Sequence, residues 1–232
     1  MGFDNITAVV PVREGRKGQP DSSLLEFGDV TLLEWKIIQL KNVLPAKQIV
    51  LSTNSEKAIE RAEPYGVQVV RRTEAECKDG LAFPEVLRGI IGRVKAEDIA
   101  ICPCTAPMLG PRLLKEAFTK YNANLAKKSH CSLASVNEMR EYLWDGKKPI
   151  NYSCDANFPP ANQLPAWYRV TNGLFMMSRE RMLKAGYFLD AKPFLFIIDN
   201  LSGTDISHFE DYKITRELLS FYLSRESAAK KA

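Results

Sequence analysis

Ile6-Thr7-Ala8-Val9-Val10-Pro11-Val12 runs straight into Arg13-Glu14-Gly15-Arg16-Lys17-Gly18-Gln19-Pro20. The first seven residues are apolar or β-branched without alternation, the pattern of a strand buried on both faces of a sheet. The next six change character at once, with three cations, Arg13, Arg16 and Lys17, and two glycines, Gly15 and Gly18. A strand that ends in a glycine-rich cationic loop sets backbone N–H groups and positive side chains at the carboxyl edge of the sheet. That edge is where open α/β sheets bind ligands, and such loops suit phosphates. The spacing is neither GxxxxGK[ST] nor GxGxxG, which excludes an ATPase P-loop and a dinucleotide fingerprint. A solvated basic turn is the alternative.

Outward from this stretch the chain alternates. Helical spacing appears over Thr31–Leu40, opened by the capping pair Thr31 and Glu34. A second strand is expected at Gln48–Thr53, a helix at Ser55–Tyr65, and a third strand at Val67–Arg71. Leu81–Lys95 reads as a helix with Pro84 in its first turn, and Asp98–Cys102 as a fourth strand. Gly110-Pro111 opens a helix through Tyr121, and Cys131–Val136 is a fifth strand. The alternation predicts an α/β fold with a doubly wound, mostly parallel sheet and helices on both faces.

The rhythm stops at Asn137. From there to about residue 170 lie four prolines and the aromatics Trp144, Tyr152, Trp167 and Tyr168, with no clean period. Such a stretch is too long for an idle loop and reads as an inserted arm that packs on substrate or on a second subunit. Regular structure is expected again in a strand at Gly173–Ser178, a helix at Arg179–Ala185, a strand at Pro193–Ile198 and one final helix at Phe209–Ser224. Residues 1–232 are thus expected to form one domain carrying an arm at about 137–170.

Composition narrows the function classes. Apolar content of 45% supports a full core, and a net charge of +4 with interleaved signs argues against a nucleic-acid surface. The five cysteines are scattered, without paired CxxC spacing, so reduced thiols and a cytoplasmic setting are expected. Cys102-Pro103-Cys104 is the one place where a metal or redox motif could be read. Neither a signal peptide nor a membrane span is expected.

Five collinear blocks resemble the CMP-sugar synthetases, the cytidylyltransferases for acidic sugars such as sialic acid and KDO. The first is Val10-Pro11-Val12-Arg13-Glu14-Gly15-Arg16-Lys17-Gly18, similar to that family's nucleotide loop. The second pairs Val50-Leu51-Ser52-Thr53-Asn54 with Tyr65-Gly66-Val67-Gln68-Val69-Val70-Arg71-Arg72. The remaining three are Pro103-Cys104-Thr105-Ala106-Pro107-Met108, Gln163-Leu164-Pro165 with Arg169 and Asn172-Gly173-Leu174-Phe175, and Thr204-Asp205-Ile206-Ser207-His208-Phe209-Glu210-Asp211.

This resemblance implies a Rossmann-like nucleotidyltransferase fold whose arm dimerises. It also implies a reaction in which CTP and a sugar acid give a CMP-sugar and pyrophosphate. No protein nucleophile is needed; positioning and charge neutralisation do most of the work. Arg13, Lys17 and Asp205 would be catalytic, with Asp205 holding Mg²⁺. Nucleotide contacts would come from Pro11, Val12, Arg13, Gly15 and Lys17 of the first loop, joined by Ser23, Arg72 and Thr105. Arg169, Asn172 and Phe188 would face the sugar, and the expected partners are CTP, an acidic sugar and a second copy of the chain.

The chain departs from the family pattern at four places, three of them where the sugar acid or the metal would be and one, Ser22-Ser23, on the nucleotide side. Ser207 replaces a second metal-binding Asp and reads instead, with Glu210, as a capping box. Pro103 stands for a Gln, Ser22-Ser23 for Lys-Asn, and Ala161 for an Arg. Alternatives are therefore a nucleotidyltransferase using another base or a phosphonate, and a weakened protein that binds nucleotide without turnover.

Overall fold

A computed structural model describes residues 2–15 and 21–229. The first strand, β1 (Ile6–Val12), is followed by a short hairpin, β2 (Glu26–Phe27) and β3 (Val30–Thr31), and by α1 (Leu32–Lys41). Next come β4 (Ile49–Thr53), α2 (Glu56–Ala62), β5 (Gln68–Arg71), α3 (Phe83–Ile91), β6 (Asp98–Ile101) and α4 (Pro111–Ala126). The second half holds β7 (Ser132–Met139), β8 (Trp167–Ser178), α5 (Arg179–Ala185), β9 (Phe194–Ile197), α6 (Phe209–Glu217) and α7 (Leu219–Ala229).

Seven strands form one sheet in the order β5-β4-β1-β6-β8-β7-β9. β1 pairs in parallel with β4 on one side and β6 on the other. Chain order therefore reverses between β1 and β6, and the loops leaving their carboxyl ends flank a topological switch point. β8 runs antiparallel to both of its neighbours and brings its amino end to that same edge. Alternate residues of β1 divide the core: Ile6, Ala8, Val10 and Val12 pack with Leu33, Ile37, Leu114 and Phe118 of α1 and α4. Val9 faces the other layer, where Leu87 and Ile91 of α3 and Met182 of α5 close over Ile99, Ile101 and Phe175.

Local signals act as expected at several helix starts. In α1 the Thr31 hydroxyl accepts from the Glu34 amide at 3.3 Å while Glu34 accepts from the Thr31 amide at 2.8 Å. Ser55 caps α2, and Pro111 opens α4.

Three boundaries differ from expectation. β7 and β8 continue past a bulge into Asn137–Met139 and Trp167–Val170, so the arm proper spans only 140–166. All four prolines lie within 140–166, while Trp167, Tyr168 and Val170 are strand-favouring residues that pair across to β7. The expected single last helix is two, α6 and α7, separated at Leu218. Each half is tethered apart: the Tyr212 hydroxyl donates to the Glu26 carbonyl at 2.7 Å, and the Tyr222 hydroxyl accepts from Gln39 at 3.3 Å. The capping of α6 is also shifted: His208 is the N-cap, and the Asp211 carboxylate accepts from the amides of His208 (2.7 Å) and Ser207 (3.0 Å). Ser207 and Glu210 are not the capping pair, because the helix begins one residue later.

All five cysteines are free. Cys102 and Cys104 are buried, and burial pushes each thiol up to about 12. Protonated and sealed in the core, they are small apolar side chains rather than a redox or metal pair. Among the described residues no helix is long and apolar enough to cross a membrane.

Candidate active site

At the carboxyl edge of the sheet the chain builds two banks facing the switch point. The first stands on β1, β4 and the turn after β5. Arg13 donates through Nη1 to the Asp79 carboxylate at 2.8 Å and to the Cys77 carbonyl at 3.3 Å. The Glu14 amide donates to Asn54 Oδ1 at 3.0 Å, and Asn54 donates on to Glu74 at 3.0 Å. These residues, with Gly15 and Lys78, line an open cavity of about 360 Å³. A second cavity of about 340 Å³ lies on the other side of Gly15, against Asp21, Ser55 and Lys57. Lys17 falls outside the described residues.

Other residues expected at the nucleotide are placed as supports. Arg72 is only 7% exposed and donates to the Val12 carbonyl, bracing the end of β1 instead of presenting its guanidinium to the cavity. Burial lowers its pKa, yet a guanidinium keeps its proton. Val12 is itself buried beside a half-buried Pro11, so this end of the strand can offer a ligand little beyond backbone. Ser23 is buried, its amide donating to Asp21 Oδ1 at 3.0 Å.

The second bank is formed where β6, β8 and the segment before α6 converge. Asn172 has φ 53°, a left-handed conformation that Asn tolerates better than most residues. It lies beside the bulge between β7 and β8, where the Ser135 hydroxyl takes the Leu174 amide at 3.0 Å and meets the Thr171 hydroxyl at 2.7 Å. This bulge re-aims the side chain: Asn172 Nδ2 donates to Asp205 Oδ2 at 3.0 Å. Ser207 donates its hydroxyl to the same oxygen at 3.3 Å. The Ile206 amide donates to the Thr105 carbonyl at 2.9 Å, which ties this segment to the 103–109 loop after β6. Asn172, Asp205 and Thr105, distant in sequence, are brought together.

Arg169 lies one step removed. Its guanidinium donates to Asn137 Oδ1 at 2.6 Å. Asn137 is a residue that sequence reasoning marked only as the end of a rhythm. Buried, it donates through Nδ2 to the carbonyls of Ile198 (2.8 Å) and Asp199 (3.0 Å) and so holds the turn that leads to Asp205. Gly203 is required opposite it, since a Cβ there would lie 2.4 Å from Asn137 Oδ1. Phe188, expected at the sugar, is partly buried, its ring packed on Phe175, Phe83 and Tyr187 against the core layer under α3 and α5.

Among the described residues no group of three or more His, Cys, Asp or Glu side chains could by itself hold a metal ion. Asp205 offers one carboxylate with Oδ2 engaged by Asn172 and Ser207, and Asp211 is committed to helix capping. This donor set suits an ion that takes one protein carboxylate and fills its shell from water and phosphate, as Mg²⁺ does.

Comparison with known proteins identifies the family and the fold. A family model described as cytidylyltransferase matches residues 7–155. The chain belongs to the cytidylyltransferase family, and is thus a nucleotidyltransferase. It is 25% identical over 230 residues to the post-translational flagellin modification protein B of Campylobacter coli, covering 94% of this chain and 96% of that one. To the CMP-N,N'-diacetyllegionaminic acid synthase of Campylobacter jejuni it is 22% identical over 223 residues, covering 93% and 95%. Among solved structures it resembles a CMP:2-keto-3-deoxy-manno-octonic acid synthetase complexed with CTP, at TM-score 0.61 and 11% identity, covering 93% of this chain and 98% of that one. A 4-diphosphocytidyl-2C-methyl-D-erythritol synthase from Anaerococcus prevotii has the same TM-score, 0.61, at 12% identity, covering 94% and 99%. At such identities the structural likeness concerns the fold.

Proposed function

We propose that this protein transfers CMP from CTP to a hydroxyl of an acidic sugar of the sialic-acid or KDO type, with release of pyrophosphate. The observation that carries the reading is the meeting of Asn172 and Asp205 over the 103–109 loop, across the switch point from the Arg13 loop. In the reaction the sugar hydroxyl oxygen attacks the α-phosphorus in line, the bond to the bridging oxygen breaks, and the hydroxyl proton leaves as the new ester forms. What the protein must supply is position and counter-charge. Arg13 and Lys17 are assigned to the triphosphate; Arg13 would exchange Asp79 for phosphate oxygens, a stronger charge-assisted partner. Asn172 orients Asp205 through its amide, and Arg169 supplies a cation near the sugar carboxylate.

Asp205 is the residue that would hold Mg²⁺, which neutralises charge on the phosphates when bound. Acidic sugars as substrates follow from the relative that makes CMP-N,N'-diacetyllegionaminic acid. The arm is assigned to a homodimer. Tyr142, Tyr152 and Phe158 form its own small cluster, with Tyr142 and Phe158 stacked at 4.7 Å, while Trp144, Ile150 and Phe158 stay about half exposed. A cytoplasmic setting suits a chain with five free thiols.

A second reading, nucleotide binding without turnover, is favoured by one observation: Ser207 occupies Asp205 Oδ2 where a second carboxylate would serve a metal better. Pyrophosphate release from CTP with Mg²⁺ and N-acetylneuraminate, legionaminate or KDO separates the two. Release with one of these sugars supports the transferase. A CTP-induced stabilisation of ~2.7 kcal/mol at 100 times the dissociation constant, without release, supports the binding protein. Neither response defeats both.

A further inference from the structure

Beneath the second bank lies a charged group that the proposed reaction does not use. Lys36 sits on the buried face of α1 with no exposed surface. Its Nζ donates to the Ala106 carbonyl at 2.8 Å and to the Leu109 carbonyl at 3.2 Å. Two neighbours on the same helix reach between these contacts: Trp35 Nε1 and Gln39 Nε2 both donate to the Pro107 carbonyl, at 2.8 and 2.7 Å. One face of α1 thus satisfies three carbonyls of a loop that has no helix or strand of its own.

The other side of that loop carries the candidate site. The Thr105 carbonyl receives the Ile206 amide, one residue past Asp205. Gly173, next to Asn172, packs so closely that a Cβ would come within 3.1 Å of Leu109 Cδ2 and 3.4 Å of the Ala106 Cβ. The loop is therefore the common bearing on which Asp205 and Asn172 are set relative to each other.

A lysine is a costly choice for this place. Burial makes the ammonium unfavourable, and lowers its pKa to about 8. Among the described residues the ionisable groups that act on it are the Cys102 and Cys104 thiols, which burial keeps protonated, and none of them is a carboxylate. Methionine would fill nearly the same volume without that cost, and replacing buried charge by apolar groups is often neutral or stabilising. What methionine cannot do is donate to two carbonyls.

We propose that Lys36 is a positioning residue for the transfer reaction: it fixes the 103–109 loop from below and thereby sets the place of Asp205 against Asn172. This rests on the reading of those two residues as the site, so the test has one arm independent of activity. In Lys36→Met, amide hydrogen exchange followed by mass spectrometry is expected to rise at least tenfold in peptides covering 103–109 and 204–208. Peptides of β1 and β4 should exchange as in the wild type, and the midpoint of thermal unfolding at pH 7 should be unchanged or higher. In the kinetic arm, with CTP, Mg²⁺ and the sugar acid the wild type accepts, kcat should fall about tenfold while KM for CTP stays within twofold.

Unchanged exchange in the two segments would overturn the proposal. So would a uniform rise over all peptides, or a variant that does not fold, since either makes Lys36 part of the general scaffold. Should the wild type show no transfer with any sugar acid, the functional reading falls while the exchange arm still decides the role of Lys36 in the loop.

Discussion

The two banks of the crevice are built on opposite plans. On the Arg13 side the polar groups are exposed and satisfy one another: Arg13 with Asp79, Glu14 with Asn54, Asn54 with Glu74. On the Asp205 side the visible groups are few and the work is done underneath, by Lys36, Asn137 and Ser135, all buried. The difference is one of dielectric. Exposed pairs are screened and exchange partners readily, which would suit the triphosphate role proposed for this bank. Buried donors cannot be left without acceptors, so they hold one geometry, which suits a bank that must place a carboxylate.

The contrast can be broken most directly at Asp205. Asp205→Asn keeps the shape and one oxygen but removes the charge, and pyrophosphate release should fall at least ~10²-fold, about 3 kcal/mol at the transition state. Its unfolding curve in urea should overlay that of the wild type. Normal turnover would remove Asp205 from the metal.

The burial of Lys36 makes a pH prediction of comparable size. Its folded pKa of about 8 lies below the ordinary 10.5, so the folded protein binds this proton more weakly than the unfolded chain. The penalty is fully present below pH 8 and is relieved as pH rises from 8 to 10.5. Relative to Lys36→Met, the wild type should therefore gain up to about 3 kcal/mol between pH 7 and pH 10.5. Urea unfolding of both proteins at each pH measures the gap, and a constant gap would mean that Lys36 is not desolvated.

Asn137→Ala removes the donor to two carbonyls and the acceptor for Arg169. A loss of about 2–3 kcal/mol of folding stability is expected from the polar groups left unpaired, read as a lower urea midpoint. A cost below ~0.5 kcal/mol would show that water replaces Asn137 freely and that the second bank is softer than it looks.

The smallest effect belongs to the exposed bank. With side chains 40% and 54% exposed, the Arg13–Asp79 pair is worth ~1 kcal/mol or less. Asp79→Asn should free Arg13 and tighten CTP binding by up to about fivefold in calorimetry. Weaker binding would mean that Asp79 orients Arg13 for the phosphates instead of competing with them.

The amino-acid sequence alone determined what depends on neighbours along the chain. Buried strands show as unbroken apolar runs, helix starts as Thr31 with Glu34 or Ser55, and the edge of the sheet as the place where Val12 gives way to Arg13. The motif-bearing residues Asn172 and Asp205 stand out in the sequence by resemblance alone, and the fold sets them 3.0 Å apart. Tertiary structure alone decided what depends on distant chain. Arg72 and Arg13 are equal cations in sequence, yet one is sealed under β1 and the other exposed, because the parallel pairing of β4 with β5 turns the chain under Val12. The buried donors Lys36 and Asn137 carry no local signal, since their acceptors lie 70 and 61 residues away. A hydrogen bond constrains two positions at once, and where those positions are far apart only the fold reveals the pair.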